Sequence, residues 1–233
     1  MPRPERRLYR EHKYVTFVLN ELDKNIGKAD FRDALQTKQI ESDLETVINL
    51  LRFHAQHEDE KIHALLKKHG SEVFKEIEAD HHSHATVFSH LKVKLKEVSK
   101  AKTDAEKINY GYQFYLNYRK FLAENLEHLH QEETVLMPEL IRLCTKQELE
   151  SIDNPVYQEM TPDQLVGMLE TLFPVLNPDD KEYFIADLIN AVPLKVRECW
   201  QSIARLLTVE EIEDMACRLE LINELVEGSL EIS

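Results

Sequence analysis

The strongest constraint on this chain is a short motif that occurs twice, on the apolar face of two long helical stretches. Residues 54–66 read HAQHEDEKIHALL and residues 128–140 read HLHQEETVLMPEL, sharing the frame His-x-x-x-Glu-acid-x-x-aliphatic. A helix advances ~100° per residue, so residues four apart lie on one face about one turn from each other. On that basis His54 and Glu58 share a ~60° sector with Val47, Leu51 and Leu65. His128 and Glu132 do the same with Phe121 and Val135. A carboxylate buried beside imidazoles is costly unless something compensates its charge. A divalent or trivalent metal does so, and a two-sided site explains why the motif repeats.

The rest of the chain reads as helix. Leu8, His12, Val15, Leu19, Leu22 and Ile26 follow a 3–4 spacing, with Gly27 as the expected C-cap. Leu44, Val47, Leu51, His54, Glu58, Ile62 and Leu65 form a second stripe that ends near Gly70. Its start is ambiguous, because Ser42 and Glu45 match a capping box inside the pattern. A third stripe runs through Ile77, His81, His84, Phe88, Leu91 and Leu95, stopping before Lys100. Thr103 and Glu106 open a fourth helix through Phe114, Phe121, His128, Glu132, Val135 and Leu143. Four long amphipathic helices with short connections predict an all-α fold, an antiparallel up-down four-helix bundle over residues 1–144.

Residues 145–233 form a smaller C-terminal helical extension. The N-cap signals Thr161-Pro-Asp-Gln164, Asn177-Pro-Asp-Asp180 and Thr208-Val-Glu-Glu211 predict shorter helices over 162–176, 178–190, 194–207 and 209–226. This extension has no His, so its expected role is structural, capping the bundle or carrying a homodimer contact.

Charge and composition exclude several classes. Lys plus Arg number 29 against 43 Asp plus Glu, a formal charge of −14 that repels phosphate backbones and anionic lipid. The basic run Arg3, Arg6, Arg7, Arg10 is too short to reverse this, so no nucleic-acid or membrane partner is expected. No apolar run reaches the ~20 residues of a membrane span and no signal peptide is evident. Cys144, Cys199 and Cys217 are odd in number and lack metal-ligand spacing, the pattern of a reduced cytoplasmic protein.

The 11 His all lie between His12 and His130. His12 is the only one before residue 54 and sits on the first apolar stripe. On the third segment His81, His82 and His84 compete, and periodicity alone does not choose among them. With His81, the candidate metal set is His12, His54, Glu58, His81, His128 and Glu132. That is one imidazole per helix and a carboxylate from alternate helices. Two carboxylates able to bridge, with two His per metal, suit a pair of irons with open coordination positions. Four protein ligands would suffice for a structural zinc, and six in two overlapping sets exceed that need.

The pattern His … His-x-x-x-Glu … His … His-x-x-x-Glu resembles the hemerythrin-like, or HHE cation-binding, family, with His128-Leu-His-Gln-Glu132-Glu-Thr-Val-Leu-Met-Pro138 its most characteristic stretch. The likeness covers roughly residues 8–144, and the later helices resemble the C-terminal extension of some bacterial members. It implies an antiparallel four-helix bundle holding two iron ions, bridged by both carboxylates and by an oxo or hydroxo group. It also implies binding of O2, NO or peroxide. Asp80-His81 with Phe88 two turns on resembles the family's third-helix ligand, which favours His81. Oxygen carriers of the family have His-x-x-x-His on the third helix, where this chain has Ala85 four after His81. On the fourth helix they have Asp five residues after His, where this chain has Glu132 at four. The resemblance is therefore closer to members implicated in sensing, nitrosative stress or iron-centre repair than to carriers.

Several residues have plainer readings. His57, His63, His69, His82, His90 and His130 are expected to be solvated, His63 and His130 lying ~180° from the ligand face. That orientation also disfavours a ferritin-like site built on Glu60-x-x-His63 and Glu127-x-x-His130. His84 reads as a displaced fifth ligand or as a group behind the ligands. Asn125, one turn before His128, reads either as part of the ligand pocket or as packing. Tyr110, Tyr112, Tyr115 and Tyr118 are expected to pack. A di-iron peroxidase- or catalase-like enzyme remains open, although no residue is evidently dedicated to acid–base cleavage of an O–O bond. A zinc-bound or metal-free helical interaction protein is the other alternative.

Overall fold

A computed structural model describes the backbone of residues 7–230, and the side chains of residues 10–225 other than Glu76, Asp80 and residues 82–85. The sequence readings at Arg3, Arg6, Arg7, Leu8, Asp80, His82, His84 and Ala85 concern side chains outside the described residues. The described residues are helical with no strand, and a chain with only 5 Gly and 8 Pro is poor in the turn residues an all-β fold needs. The chain divides into two compact units, Met1–Thr145 and Lys146–Ser233.

In the first unit the helices are α1 (Arg7–Lys28), α2 (Ala34–His57), α3 (Ala64–Lys68), α4 (Phe74–Lys100), α5 (Asp104–Gln131) and α6 (Met137–Leu143). A π-helical turn, Glu58–His63, joins α2 to α3, and another, Glu132–Leu136, joins α5 to α6. α1 packs on α2 and α5, and α4 packs on the same two helices. Four apolar stripes therefore close round one core, with Leu19, Leu44, Ile48, Leu91, Phe114 and Tyr118 at its centre. The Tyr118 hydroxyl donates to the Leu19 carbonyl at 2.8 Å, so its one polar atom is satisfied inside that core.

Caps explain where these helices begin and end. Asp33, not Ser42, starts α2, its carboxylate accepting from the Leu35 amide at 2.8 Å. Thr103 and Glu106 form both bonds of the expected capping box at the start of α5. Gly27 does not cap α1, which runs on to Lys28. Among the described residues the only positive φ is at Gly70 (73°). There the Ser71 amide bonds Leu66 O and the Gly70 amide bonds Lys67 O, the paired bonds of a Schellman stop. At Gly111 of α5 the Phe31 ring takes the space of a side chain, so a Cβ there would lie 2.2 Å from Cδ2 of Phe31.

The second unit contains α7 (Lys146–Glu159), α8 (Pro162–Leu172), α9 (Pro178–Ala191), α10 (Pro193–Ala204), α11 (Val209–Ala216) and α12 (Glu220–Leu230). Thr161, Asn177 and Thr208 act as the N-caps their sequences predict. Two expectations fail here. The 209–226 segment is two helices rather than one, and α7, which contains Pro155, lies where no helix was assigned. Leu149, Ile152 and Tyr157 are buried on α7, and that packing outweighs the hydrogen bond lost at Pro155. Lys195 closes the α7 C-terminus, its ammonium donating to the carbonyls of Tyr157, Gln158 and Met160 at 2.6–3.0 Å.

Candidate metal centre

Both repeats are built alike: the His stands in the last turn of an α-helix, and the Glu four residues on opens a π-helical turn. Such a turn bonds i→i+5 and takes up one residue more than an α turn, setting everything after it back by ~100°. Leu65 and Val135 were expected to face inward. The structure instead buries the next residues, Leu66 and Leu136, completely and leaves Val135 47% exposed. The same rotation overturns the expectation for His63. An uninterrupted helix would point it ~180° from His54, but with one residue absorbed the offset falls to ~80°. His63 is buried, at 3% exposure. His130 precedes its turn and is exposed, as expected.

The six candidate residues converge in two overlapping groups. His12, His54, Glu58 and Glu132 form one, and Glu58, His81, His128 and Glu132 form the other, with ligand atoms in each group within 4.8 Å of one another. Glu58 Oε1 lies 3.7 Å from His12 Nε2 and 3.6 Å from His54 Nε2, while its Oε2 lies 3.5 Å from His81 Nε2. Glu132 Oε2 lies 3.4 Å from His12 Nε2, and its Oε1 lies 3.6 Å from His81 Nε2 and 3.0 Å from His128 Nε2. Each glutamate thus directs one oxygen to each group.

Most of these separations are too long for hydrogen bonds. Ligands held ~2.1 Å from one ion sit roughly 3.0–3.4 Å apart, close to what is seen. His12 Nε2, His54 Nε2 and both oxygens of Glu58 and Glu132 are buried without a hydrogen-bond partner. Unsatisfied buried polar atoms are expensive, and six of them converging on two points fit cations. An imidazole and carboxylate donor set suits iron, zinc or manganese more than calcium or magnesium.

The titration of the group shows the same need for positive charge. Burial alone would lower His12, but its bond to Glu133 and the nearby Glu58 and Glu132 raise it from 6.5 to about 10. His81 likewise rises to about 10, Glu132, Glu58 and Asp59 outweighing its burial. His128 is raised by Glu132 against its own burial. His54 goes down because burial prevails over the pull of Glu58. Burial would push both carboxyls up, and Glu58 and Glu132 also repel each other. The imidazoles around them hold both below the ordinary range nonetheless. In the metal-free protein, protons on imidazole take the place of a cation.

A second layer lies behind the first. Glu133 Oε1 is 3.0 Å from His12 Nδ1, and Asp59 Oδ1 is 3.0 Å from His81 Nδ1. His63 Nδ1 is 2.9 Å from the same Asp59 oxygen, and the His63 ring stacks on His81 at 5.7 Å. The acidic run 58–60 reads as a solvated face apart from Glu58 and His63 reads as solvated, so the structure corrects both; Glu133 was not singled out, although the acid after each glutamate is visible in the repeat. Asn125 is buried, with its amide donating to the Phe121 carbonyl at 2.8 Å.

The hemerythrin HHE cation-binding domain family matches residues 3–140. The chain belongs to that family. No curated protein and no solved structure matches it significantly. No helix among the described residues is long and apolar enough to cross a membrane.

Proposed function

We propose that the protein is a non-haem di-iron hemerythrin-like protein that binds O2, NO or peroxide in sensing of, or defence against, oxidative or nitrosative stress. The observation that carries this reading is the sharing of Glu58 and Glu132 by two four-residue groups, each completed by two imidazoles. His12 and His54 would hold one iron, His81 and His128 the other, and both glutamates would bridge them, with an oxo or hydroxo group as the further bridge. Such a pair supplies redox-active metal with open coordination positions. The chain's own part is to exclude water and fix ligand geometry: all six residues lie in the core, most of them nearly inaccessible.

In this reading α1, α2–α3, α4 and α5–α6 run as an antiparallel up-down bundle over residues 1–144. Residues 145–233 are a helical extension that pairs two copies, and the protein works in the cytoplasm without nucleic acid. Binding ranks above peroxidase- or catalase-like turnover because the acids nearest the centre, Asp59 and Glu133, are engaged with imidazoles.

The test is metal content and visible spectrum of aerobically purified protein, before and after azide, NO or peroxide. About two irons per chain and near-ultraviolet charge-transfer bands that shift with the added ligand are expected. Protein that folds, takes up no iron when offered it, and stays colourless would refute the reading. One zinc per chain with no spectral response would refute it in favour of a structural site.

A further inference from the structure

The acid that follows the glutamate of each repeat, Asp59 in one and Glu133 in the other, turns away from that repeat's own histidine. Asp59 reaches His81 on α4, and Glu133 reaches His12 on α1, each at 3.0 Å from Nδ1. His12 and His81 are also the two imidazoles that lack a glutamate four residues later on their own helix. Each repeat therefore presents two consecutive carboxylates, one toward the centre and one toward the back of a histidine that arrives alone from another helix.

A π-helical turn begins at each ligand glutamate, and the acid that reaches the other helix is the second residue of that turn.

We propose that Asp59 and Glu133 are positioning residues for the metal centre, each accepting the Nδ1–H of a lone histidine so that its Nε2 is committed to the ion. A neutral imidazole carries one N–H, and a carboxylate at Nδ1 fixes the proton there. It also sets the ring plane and makes Nε2 a stronger donor. His63 completes the Asp59 side: its ring lies nearly parallel to His81, 15° between planes, and packs against Phe74 at 5.4 Å. The same Asp59 oxygen lies 2.9 Å from His63 Nδ1 without a hydrogen bond, so His81 is bonded at its edge by Asp59 and covered on its face by His63. This inference rests on reading the centre as a metal site and adds to it how the two unanchored ligands are held.

The test uses full-length Asp59→Asn and Glu133→Gln, with Glu60→Gln as a control on an exposed acid of the same turn. Affinity for Fe(II) under anaerobic conditions, and for Zn(II), is measured by competition with a chromophoric chelator. Nitrogen-15 NMR of the histidines in the zinc-loaded protein reports the Nδ1–H groups directly. Each variant should lose roughly 10–100-fold in affinity for one of two ions, with the other little changed. Glu133→Gln should shift the Nδ1–H signal of His12 and leave that of His81, and Asp59→Asn should do the reverse. Glu60→Gln should match wild type in both measurements. Variants that bind as wild type does with both signals unmoved would overturn the positioning role. So would variants that weaken both ions equally while lowering the melting temperature of the metal-free protein to match, since that is a general structural defect. Wild-type protein that binds neither iron nor zinc would overturn the metal reading itself and this inference with it.

Discussion

Glu58 and Glu132 belong to both ligand groups, whereas each histidine belongs to one. Replacing Glu132 with Ala should therefore empty the whole centre, while replacing His54 with Ala should cost one ion. The size of the effect follows from linkage. An ion present at a hundred times its dissociation constant adds about 2.7 kcal/mol to the folded form. The unit concerned spans Met1–Thr145. At about 2.1 cal/mol/K per residue its unfolding entropy is roughly 0.3 kcal/mol/K, so one ion is worth about 9 °C in melting temperature. Loaded minus metal-free melting temperature should then be about 18 °C for wild type, about 9 °C for His54→Ala and near zero for Glu132→Ala. Anaerobic thermal melts with and without Fe(II), compared within each variant and paired with metal analysis, give these differences directly. The comparison within each variant removes any loss of metal-free stability caused by the substitution. Equal metal content in Glu132→Ala and His54→Ala would refute the shared role of the glutamate.

Other outcomes follow from packing and charge. Leu66→Ala should cost about 2–5 kcal/mol, whereas Val135→Ala should stay within about 0.5 kcal/mol, the reverse of what an unbroken helix would predict for this face; urea unfolding of each measures it. Gly111→Ala should destabilise by about 1–3 kcal/mol, because the added Cβ meets the Phe31 ring and outweighs a helix-propensity gain of about 1 kcal/mol. Gly167→Ala on α8, where a Cβ meets nothing within 4 Å, should stabilise by about 0.5–1 kcal/mol in the same assay. In metal-free protein the His12 and His81 values are raised from 6.5 to about 10. Their protonated forms thus contribute stability that is whole below about pH 6.5 and is lost as pH rises through about 10. The metal-free melting temperature should fall between pH 7 and pH 10, and Fe(II) affinity should tighten over the same range as protons cease to compete; a flat profile in both would contradict the charge arrangement.

The long register of apolar residues in α1, α2, α4 and α5, the capping box at Thr103, the N-caps at Thr161, Asn177 and Thr208, and the paired His-x-x-x-Glu segments were all legible in the amino-acid order. They are local features: a 3–4 spacing, a side chain reaching an amide three residues on, two side chains one turn apart. The convergence of His12, His54, Glu58, His81, His128 and Glu132 depends on packing between helices. The sequence made that convergence plausible by placing each residue on an apolar stripe.

What escaped the linear reading was whatever depends on backbone bonding or on a neighbour from another helix. Leu65 and Val135 point the wrong way for a uniform helix because a π-helical turn begins at Glu58 and at Glu132, and no propensity marks that change of bonding. His63 is buried for the same reason. The helix across Pro155 holds because Leu149, Ile152 and Tyr157 gain burial that a single-residue rule cannot see. Asp59 and Glu133 were visible as two acids in matching places, but what they touch arrives from α4 and α1. Local order thus determined which faces are apolar and where the two glutamates and their histidines stand. Only the tertiary structure decided that the adjacent acids turn outward to grip the other two histidines, because that choice belongs to the turn geometry and to the helices packed against it.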